Sequence, residues 1–138
     1  MPQLLLQVDG ATGGPGSRVA GLGIVVRNSH GHVLLWRSLR TQAQTNNEAE
    51  YQAIIAGLGL MLRYYPHVAV RCVSDSESVV AQLRGQSAVR APSHQPLHTR
   101  ALALAQQLYR VEFVVIGRAY NRLADALAWE AVGGRGAL

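Results

Sequence analysis

The stretch TNNEAEYQAIIAGLGLMLRYY, from Thr45 to Tyr65, has the apolar spacing of one long amphipathic helix. The helix should end before Pro66, because proline has no amide hydrogen to donate within a helix. Its first residues fit a capping box, in which the hydroxyl of Thr45 accepts from the amide of Glu48 and the Glu48 side chain returns to the cap amide. The stretch therefore predicts a long helix that begins at a polar cap.

Two glutamates, Glu48 and Glu50, lie in the first turn of this helix. The capping box gives Glu48 a structural role. Glu50 instead extends the apolar face of the helix, which is formed by Ala53, Ile54, Gly57 and Met61. A buried carboxylate is unfavourable unless it is paired or binds a metal. From periodicity alone, Glu50 is either such a buried group or a residue at the rim of the core that reaches water.

The segments on either side of this helix predict an α/β protein. Strands are expected at residues 3–9, 19–29, 31–40, 67–74 and 111–117, and further helices at residues 76–84, 97–110 and 121–132. The first three strands can form an antiparallel meander, whereas the last two follow helical crossovers and should run parallel to the first. We therefore predict a mixed five-stranded sheet flanked by helices, in one domain over residues 1–132 with a flexible tail over residues 133–138.

The chain has 138 residues, a net charge of +5 and a pI of about 10.1. All thirteen basic residues are arginines, whose planar charged groups suit phosphate, so a polyanion is an expected partner. An arginine-rich genome would explain the absence of lysine equally well. Cys72 is the single cysteine, which excludes a disulfide framework and indicates a reducing compartment. The sequence shows neither a secretory signal nor an apolar run of membrane-spanning length, so we expect a cytoplasmic protein.

Two aspartates, Asp9 and Asp75, each follow an apolar strand. Singly, each fits an ordinary structural role, since DG after a strand forms turns and SDS before a helix provides an N-cap. If their strands are adjacent and parallel, however, both carboxylates meet at one edge of the sheet, where α/β proteins bind ligands. Two close carboxylates repel each other, and a divalent cation would relieve that repulsion. Asp125, in the first turn of the last helix, is either a further member of this group or an acid favoured by the helix dipole.

Four segments, VDGATGGPG, TNNEAEYQAIIAGL, SDSESVVAQL and NRLADALAWEA, occur in an order and at a spacing that strongly resemble type 1 ribonuclease H. The resemblance extends from Leu4 to Ala131. It implies a ribonuclease H-like fold and an endonuclease that cleaves the RNA strand of RNA/DNA hybrids by two-metal-ion hydrolysis with Mg²⁺ or Mn²⁺, leaving 5′-phosphate and 3′-hydroxyl ends. The catalytic, metal-binding acids of the family fall on Asp9, Glu50, Asp75 and Asp125.

The resemblance also implies substrate contacts. The residues that would approach the minor groove of the hybrid are Gly10, Ala11, Thr12, Gly13, Gly14, Gly16, Asn46 and Asn47, and Thr45 would lie near a DNA phosphate. Gly14 stands where many members have an asparagine. The loop before the last helix lacks the histidine of many bacterial members, and Arg118 is assigned an assisting catalytic role in its place. The five histidines of the chain are expected at the surface.

Residues 85–96 contain Arg90 but no aromatic residue, so the chain lacks the basic, tryptophan-containing protrusion that some members carry there. We expect a monomer of the compact form that binds RNA/DNA hybrid. Because several compact members also cut double-stranded RNA, the sequence leaves open whether this chain cuts it too. Two other hypotheses remain. One is a catalytically inactive hybrid-binding module or retroelement remnant, which the presence of all four acids disfavours. The other is a different nuclease of the same superfamily, which TNNEAEY disfavours.

Overall fold

The computed structural model describes residues 3–133, which comprise five strands and four helices. The strands are β1 (Gln3–Thr12), β2 (Val19–Arg27), β3 (Val33–Gln42), β4 (Ala69–Ser74) and β5 (Arg110–Val115). The helices are α1 (Asn46–Tyr64), α2 (Glu77–Leu83), α3 (Gln95–Gln107) and α4 (Arg122–Val132), and a short 3₁₀ turn, Arg118–Tyr120, precedes α4. In this described part of the chain, no helix combines the length and apolar character needed to cross a membrane.

The strands form one mixed sheet in the order β3-β2-β1-β4-β5. The pairs β1–β2 and β2–β3 are antiparallel, whereas β1–β4 and β4–β5 are parallel. The predicted α/β fold class, with strands 1 to 3 antiparallel and strands 1, 4 and 5 parallel, is therefore confirmed. Parallel pairing requires a crossover, and α1 supplies it between the meander and β4.

The main core lies between the sheet and α1, α2 and α3, and α4 packs on the opposite face. Leu6 and Val8 of β1 contact Gly57 of α1 in the main core. On the other face, Val25 of β2 packs against Ala124 and Leu127 of α4. The helices cover both faces of the sheet. They leave its end open where the central strands β1 and β4 finish, and the predicted acids lie at that end.

Two glycines allow helices to approach the sheet closely. A Cβ at Gly10 would lie 2.3 Å from the Ala49 carbonyl carbon in the first turn of α1. A Cβ at Gly23 would lie 1.8 Å from the Ala124 carbonyl oxygen of α4. Because any side chain would overlap backbone atoms at both positions, these glycines bring the first turn of α1 and the start of α4 against the strands.

Most predicted boundaries differ from the structure by one to three residues: β3, for example, covers Val33–Gln42 instead of residues 31–40, and α3 ends at Gln107 instead of residue 110. The physical reason is clear for β1 and for the start of α3. β1 continues to Thr12 instead of ending at Asp9, because β2 supplies antiparallel partners as far as the pair Thr12–Ala20. Helix α3 begins at Gln95 instead of residue 97, since Pro96 occupies the first turn, where its missing amide hydrogen is not needed. The predicted tail over residues 133–138 lies outside the described residues, apart from Gly133, which ends α4 with φ 85°.

Candidate active site

The edge where β4 ends creates the candidate site. The β1–β4 pairing runs as far as Gln7 and Val73, but β1 continues to Thr12 with β2 alone on its other side. The backbone of β1 beyond Gln7 therefore lacks β4 as a partner, and side chains take its place: Glu50 accepts from the Gly10 amide and Asn121 donates to the Val8 carbonyl. Asp9 lies in this stretch, and Asp75 directly follows β4. The shorter strand thus exposes part of its neighbour to other ligands.

Three predicted acids meet at this edge. Asp9, Glu50 and Asp75 each offer one carboxylate oxygen, and these three oxygens lie within 4.8 Å of one another. Asp9 and Glu50 are both 5% exposed, and Asp75 is half-buried. Asp125 is half-buried and lines the same cavity. The structure therefore brings together residues 9, 50, 75 and 125, which lie far apart in the sequence.

Glu50 is held by hydrogen bonds from two strands. The backbone amide of Gly10 donates to Oε1 of Glu50, which takes the place that a β4 carbonyl would otherwise fill. The hydroxyl of Ser74, which is 1% exposed, donates to Oε2 at 2.9 Å. Glu50 is thus a buried, hydrogen-bonded group at the site, and the alternative that it lies at the rim of the core and reaches water is wrong.

Burial and crowding disfavour negative charge on this cluster. Burial, together with the proximity of Glu50, then Asp125 and Asp75, raises the pKa of Asp9 to about 10. Burial also raises the pKa of Glu50, although hydrogen bonds from Gly10 and Ser74 oppose the effect. Burial and the neighbouring carboxylates thus disfavour several negative charges in this cluster. Carboxylate oxygens held this close together fit a hard divalent cation such as Mg²⁺ or Mn²⁺, which would offset that charge.

Glu48 has the structural role that the capping box predicted, with one difference. The hydroxyl of Thr45 accepts from the Glu48 amide at 3.2 Å, as expected. The Glu48 carboxylate accepts from the amide of Gln44 at 3.0 Å, one residue before the predicted cap amide. The extended backbone of Thr45 (φ −130°, ψ 159°) accompanies this longer reach. Glu48 stabilises the start of α1.

The cluster lies in a cavity of about 700 Å³ that also holds most of the predicted substrate contacts. Those that line it are Gly10, Ala11, Thr12, Gly14, Gly16, Thr45, Asn46 and Asn47. In the part of the chain that the structure describes, Gly13 is the predicted contact set back from the lining; its amide donates to the Val19 carbonyl at 2.9 Å and closes the loop. Arg118 is exposed and lines the cavity, as does Trp129.

Asn46 and Thr12 join the two walls of this cavity. The Thr12 hydroxyl donates to Oδ1 of Asn46 at 3.0 Å, which links the end of β1 to the first residue of α1. Because Oδ1 accepts here, the amide hydrogens of Asn46 remain available for a ligand.

Sequence reasoning missed Asn121 as a residue of the site. Asn121 is fully buried, its Nδ2 donates to the Val8 carbonyl at 2.9 Å, and its carbonyl accepts from the Asp125 amide at 3.0 Å. It therefore links the first turn of α4 to β1 directly beside Asp9. Ser74 was also missed. A polar residue at each element boundary was the available signal, but the sequence does not indicate which partner each would find.

The expectation that all histidines lie at the surface is wrong for His94. His94 is 9% exposed, and its Nε2 lies 3.5 Å from the Thr45 hydroxyl. Its ring is 6.0 Å from that of Tyr51, between centroids. The turn before α3 brings His94 against the start of α1, and the sequence alone does not show that packing.

A family model described as "Reverse transcriptase-like" matches residues 7–131. The chain is 36% identical over 132 residues to the bifunctional protein Rv2228c of Mycobacterium tuberculosis, a match that covers 94% of this chain and 35% of that protein. The chain thus spans about a third of the length of the curated relatives it matches.

Solved structures resemble the chain over nearly its whole length. The N-terminal RNase H domain of Rv2228c from Mycobacterium tuberculosis, solved as a fusion with maltose-binding protein, is 32% identical with a TM-score of 0.87 and covers 100% of both chains. RNase H1 from the halophilic archaeon Halobacterium salinarum is 30% identical with a TM-score of 0.88, over 96% of this chain and 98% of that one. LC11-RNase H1 in complex with an RNA/DNA hybrid is 29% identical with a TM-score of 0.86, over 96% and 98%. The sequence and structural matches agree with the motifs, and the chain belongs to the type 1 ribonuclease H family.

Proposed function

We propose that this chain is an endoribonuclease that cleaves the RNA strand of RNA/DNA hybrids. The observation that carries the proposal is the meeting of Asp9, Glu50 and Asp75 within 4.8 Å in a cavity that also holds Asp125. Membership of the type 1 ribonuclease H family supports it, as does the hybrid bound to the similar LC11-RNase H1. A buried acidic cluster of this kind destabilises a metal-free protein, so a function that requires divalent cations explains why it is present.

In the proposed mechanism, Asp9, Glu50, Asp75 and Asp125 would hold two Mg²⁺ or Mn²⁺ ions. These ions would supply Lewis-acid stabilisation for an in-line displacement by water that leaves 5′-phosphate and 3′-hydroxyl ends. Glu50 is already fixed by Gly10 and Ser74, so little side-chain ordering is needed on binding. Burial of Asp9 and Glu50 excludes water from one side of the cluster.

The cavity walls supply the proposed substrate contacts. Asn46, Asn47 and the backbone from Gly10 to Gly16 approach the minor groove of the hybrid. The Thr45 hydroxyl accepts from the Glu48 amide, and its own hydrogen has only His94 Nε2, 3.5 Å away, as a competing acceptor, so it can cap α1 and donate to a DNA phosphate at the same time. Arg118, exposed at the rim, contacts the substrate backbone and assists the reaction.

The test is a cleavage assay with labelled RNA/DNA, RNA/RNA and DNA/DNA duplexes in Mg²⁺, Mn²⁺ and EDTA. We expect cleavage of the RNA strand of the hybrid with either metal and none in EDTA. Cleavage of RNA/RNA would add a second substrate. Equal cleavage of DNA/DNA would contradict the proposal, and so would tight hybrid binding without cleavage, which would indicate an inactive binding module.

We propose that a monomer is active, because Asp9, Glu50, Asp75 and Asp125, the acids that would hold the metal, meet within a single chain. Equilibrium sedimentation at the concentration used in the assay tests this. Activity that falls in proportion to dissociation of a dimer would contradict it.

A further inference from the structure

Trp129 lies at the rim of the active-site cavity, and none of the roles assigned above uses it. It follows Asp125 by four residues on α4, so the two side chains lie one turn apart on the same side of the helix. Both residues line the cavity, and Trp129 is 41% exposed. A large aromatic side chain thus presents a substantial apolar surface to the space where substrate would bind.

The opposite side of α4 supplies the burial that holds this helix on the sheet. Ala124, Leu127 and Ala128 are buried there, and Gly23 of β2 allows the helix backbone to approach within contact distance. The exposed part of the Trp129 indole therefore lies away from the face that packs α4 on the sheet.

The orientation of the Trp129 indole on α4 indicates which part of the substrate it contacts. Side chains on a helix lean toward its N-terminus, so the Trp129 ring leans over the turn that carries Asp125. One turn spans about 5.4 Å, so the ring lies within about one or two nucleotides, at about 3.4 Å of axial rise each, of a phosphate held at the acids. The bases of a bound duplex are stacked inside it, and of the sugar and phosphate that a strand presents outward only the sugar offers uncharged C–H surface to an indole.

We infer that Trp129 is a substrate-binding residue whose indole packs on a ribose of the RNA strand next to the cleaved phosphate. The inference rests on the proposed function and names a further contact at the same site. Trp129 binds substrate and takes no part in the chemical step.

The first test compares the steady-state kinetics of Trp129→Ala and Trp36→Ala on an RNA/DNA hybrid with Mg²⁺. Trp36 is the other tryptophan of the chain, is 55% exposed on the edge strand β3, and lies outside the cavity lining within residues 3–133. We expect Trp129→Ala to raise KM about fivefold to tenfold with kcat nearly unchanged, because apolar contact area with the substrate is lost. Trp36→Ala should keep both constants, and Trp129→Phe should restore most of the affinity.

Equal KM values for Trp129→Ala, Trp36→Ala and the unmodified chain would overturn the inference while leaving the proposed function standing. A fall in melting temperature with unchanged KM would show that Trp129 only packs against the rest of the chain. If the unmodified chain neither binds nor cleaves the hybrid, the proposed function is wrong and the inference falls with it.

The second test detects the contact directly. In a Trp36→Phe background Trp129 is the single tryptophan, and in Trp129→Phe the emission reports Trp36. Asp75→Asn is added to both to prevent cleavage, and a labelled hybrid reports binding by anisotropy in Mg²⁺. We expect saturating hybrid to change the emission of Trp129 and leave that of Trp36 unchanged. Saturation without a change at Trp129, or equal changes at both residues, would overturn the inference.

Discussion

Glu48 and Glu50 lie two residues apart in the first turn of α1, yet their surroundings differ. Glu48 is half-buried, and its carboxylate accepts from the Gln44 amide at the helix start. Glu50 is 5% exposed, and its carboxylate accepts from Gly10 and Ser74 on two strands. The same chemical group stabilises a helix end in one position and forms part of a buried acidic cluster in the other. The two environments differ because α1 directs Glu48 back to the helix start and Glu50 toward strands β1 and β4.

The largest expected effect comes from neutralising each glutamate in turn. Glu50→Gln should abolish Mg²⁺-dependent hybrid cleavage, because it removes a charged ligand from the cluster while keeping the side-chain size. Glu48→Gln should retain most activity. Initial rates on a labelled hybrid measure both, and an inactive Glu48→Gln beside an active Glu50→Gln would reverse the assignment.

The next effect comes from the strand that holds Glu50. Gly10→Ala places a Cβ 2.3 Å from the Ala49 carbonyl carbon, so the first turn of α1 must move away from β1. We expect a loss of about 1 to 3 kcal/mol in unfolding free energy and a decrease of about 100-fold in activity. Gly59→Ala is the matched control, because Gly59 lies in α1, the helix that Gly10 contacts, and a Cβ there would meet nothing within 4 Å. It should be neutral or stabilising, and equal damage from both variants would contradict the close-approach argument.

Ser74 separates the two glutamates experimentally, because its hydroxyl donates to Glu50 and not to Glu48. Ser74→Ala removes the 2.9 Å hydrogen bond to Oε2 of Glu50. We expect the Mg²⁺ concentration for half-maximal activity to rise about tenfold, since groups that orient metal ligands typically affect metal affinity by that amount. Ser87→Ala, in an exposed turn, should leave it unchanged. An unaltered metal requirement in Ser74→Ala would show that Gly10 alone orients Glu50.

The pH dependence of stability tests the electrostatics of the buried side. The pKa of Asp9 rises from 3.8 to about 10, so between these values the folded protein keeps a proton that the unfolded chain releases. In EDTA, stability should therefore decrease as pH rises through this window. Thermal melts at roughly pH 5, 7 and 9 should show a shallower decrease for Asp9→Asn, and Mg²⁺ should raise the melting temperature of the unmodified chain more than that of Asp9→Asn. Parallel curves in EDTA would contradict the coupled cluster.

The smallest expected effect lies on the capping side. Glu48→Gln weakens the bond to the Gln44 amide, and we expect a loss of about 0.5 to 2 kcal/mol in unfolding free energy, as for other N-terminal caps. Urea denaturation measures this loss. A larger loss in Glu48→Gln than in Gly10→Ala would show that the cap, and not the contact between β1 and α1, controls the start of the helix.

Local patterns predicted much of this protein. The spacing of Thr45 to Tyr65 predicted α1, its cap and the burial of the Glu50 face, because helical periodicity depends on residues three or four apart. The alternation of strands and crossovers predicted the mixed sheet. Two aspartates placed after strands indicated that the acids would meet at one end of the sheet, and they do, although Asp9 lies within β1 and only Asp75 follows its strand.

Tertiary structure decided what those patterns could not. The end of β4 at Ser74 left the Gly10 amide free for Glu50, and this depends on the relative lengths of strands that lie far apart in the sequence. The positions of Asn121 and Trp129 likewise became informative only once α4 was placed beside β1. Sequence determined which face of each element is apolar and which residues can carry charge. The packing of distant elements determined which of those charges share one cavity, because contact between residues remote in the chain is a property of the whole fold.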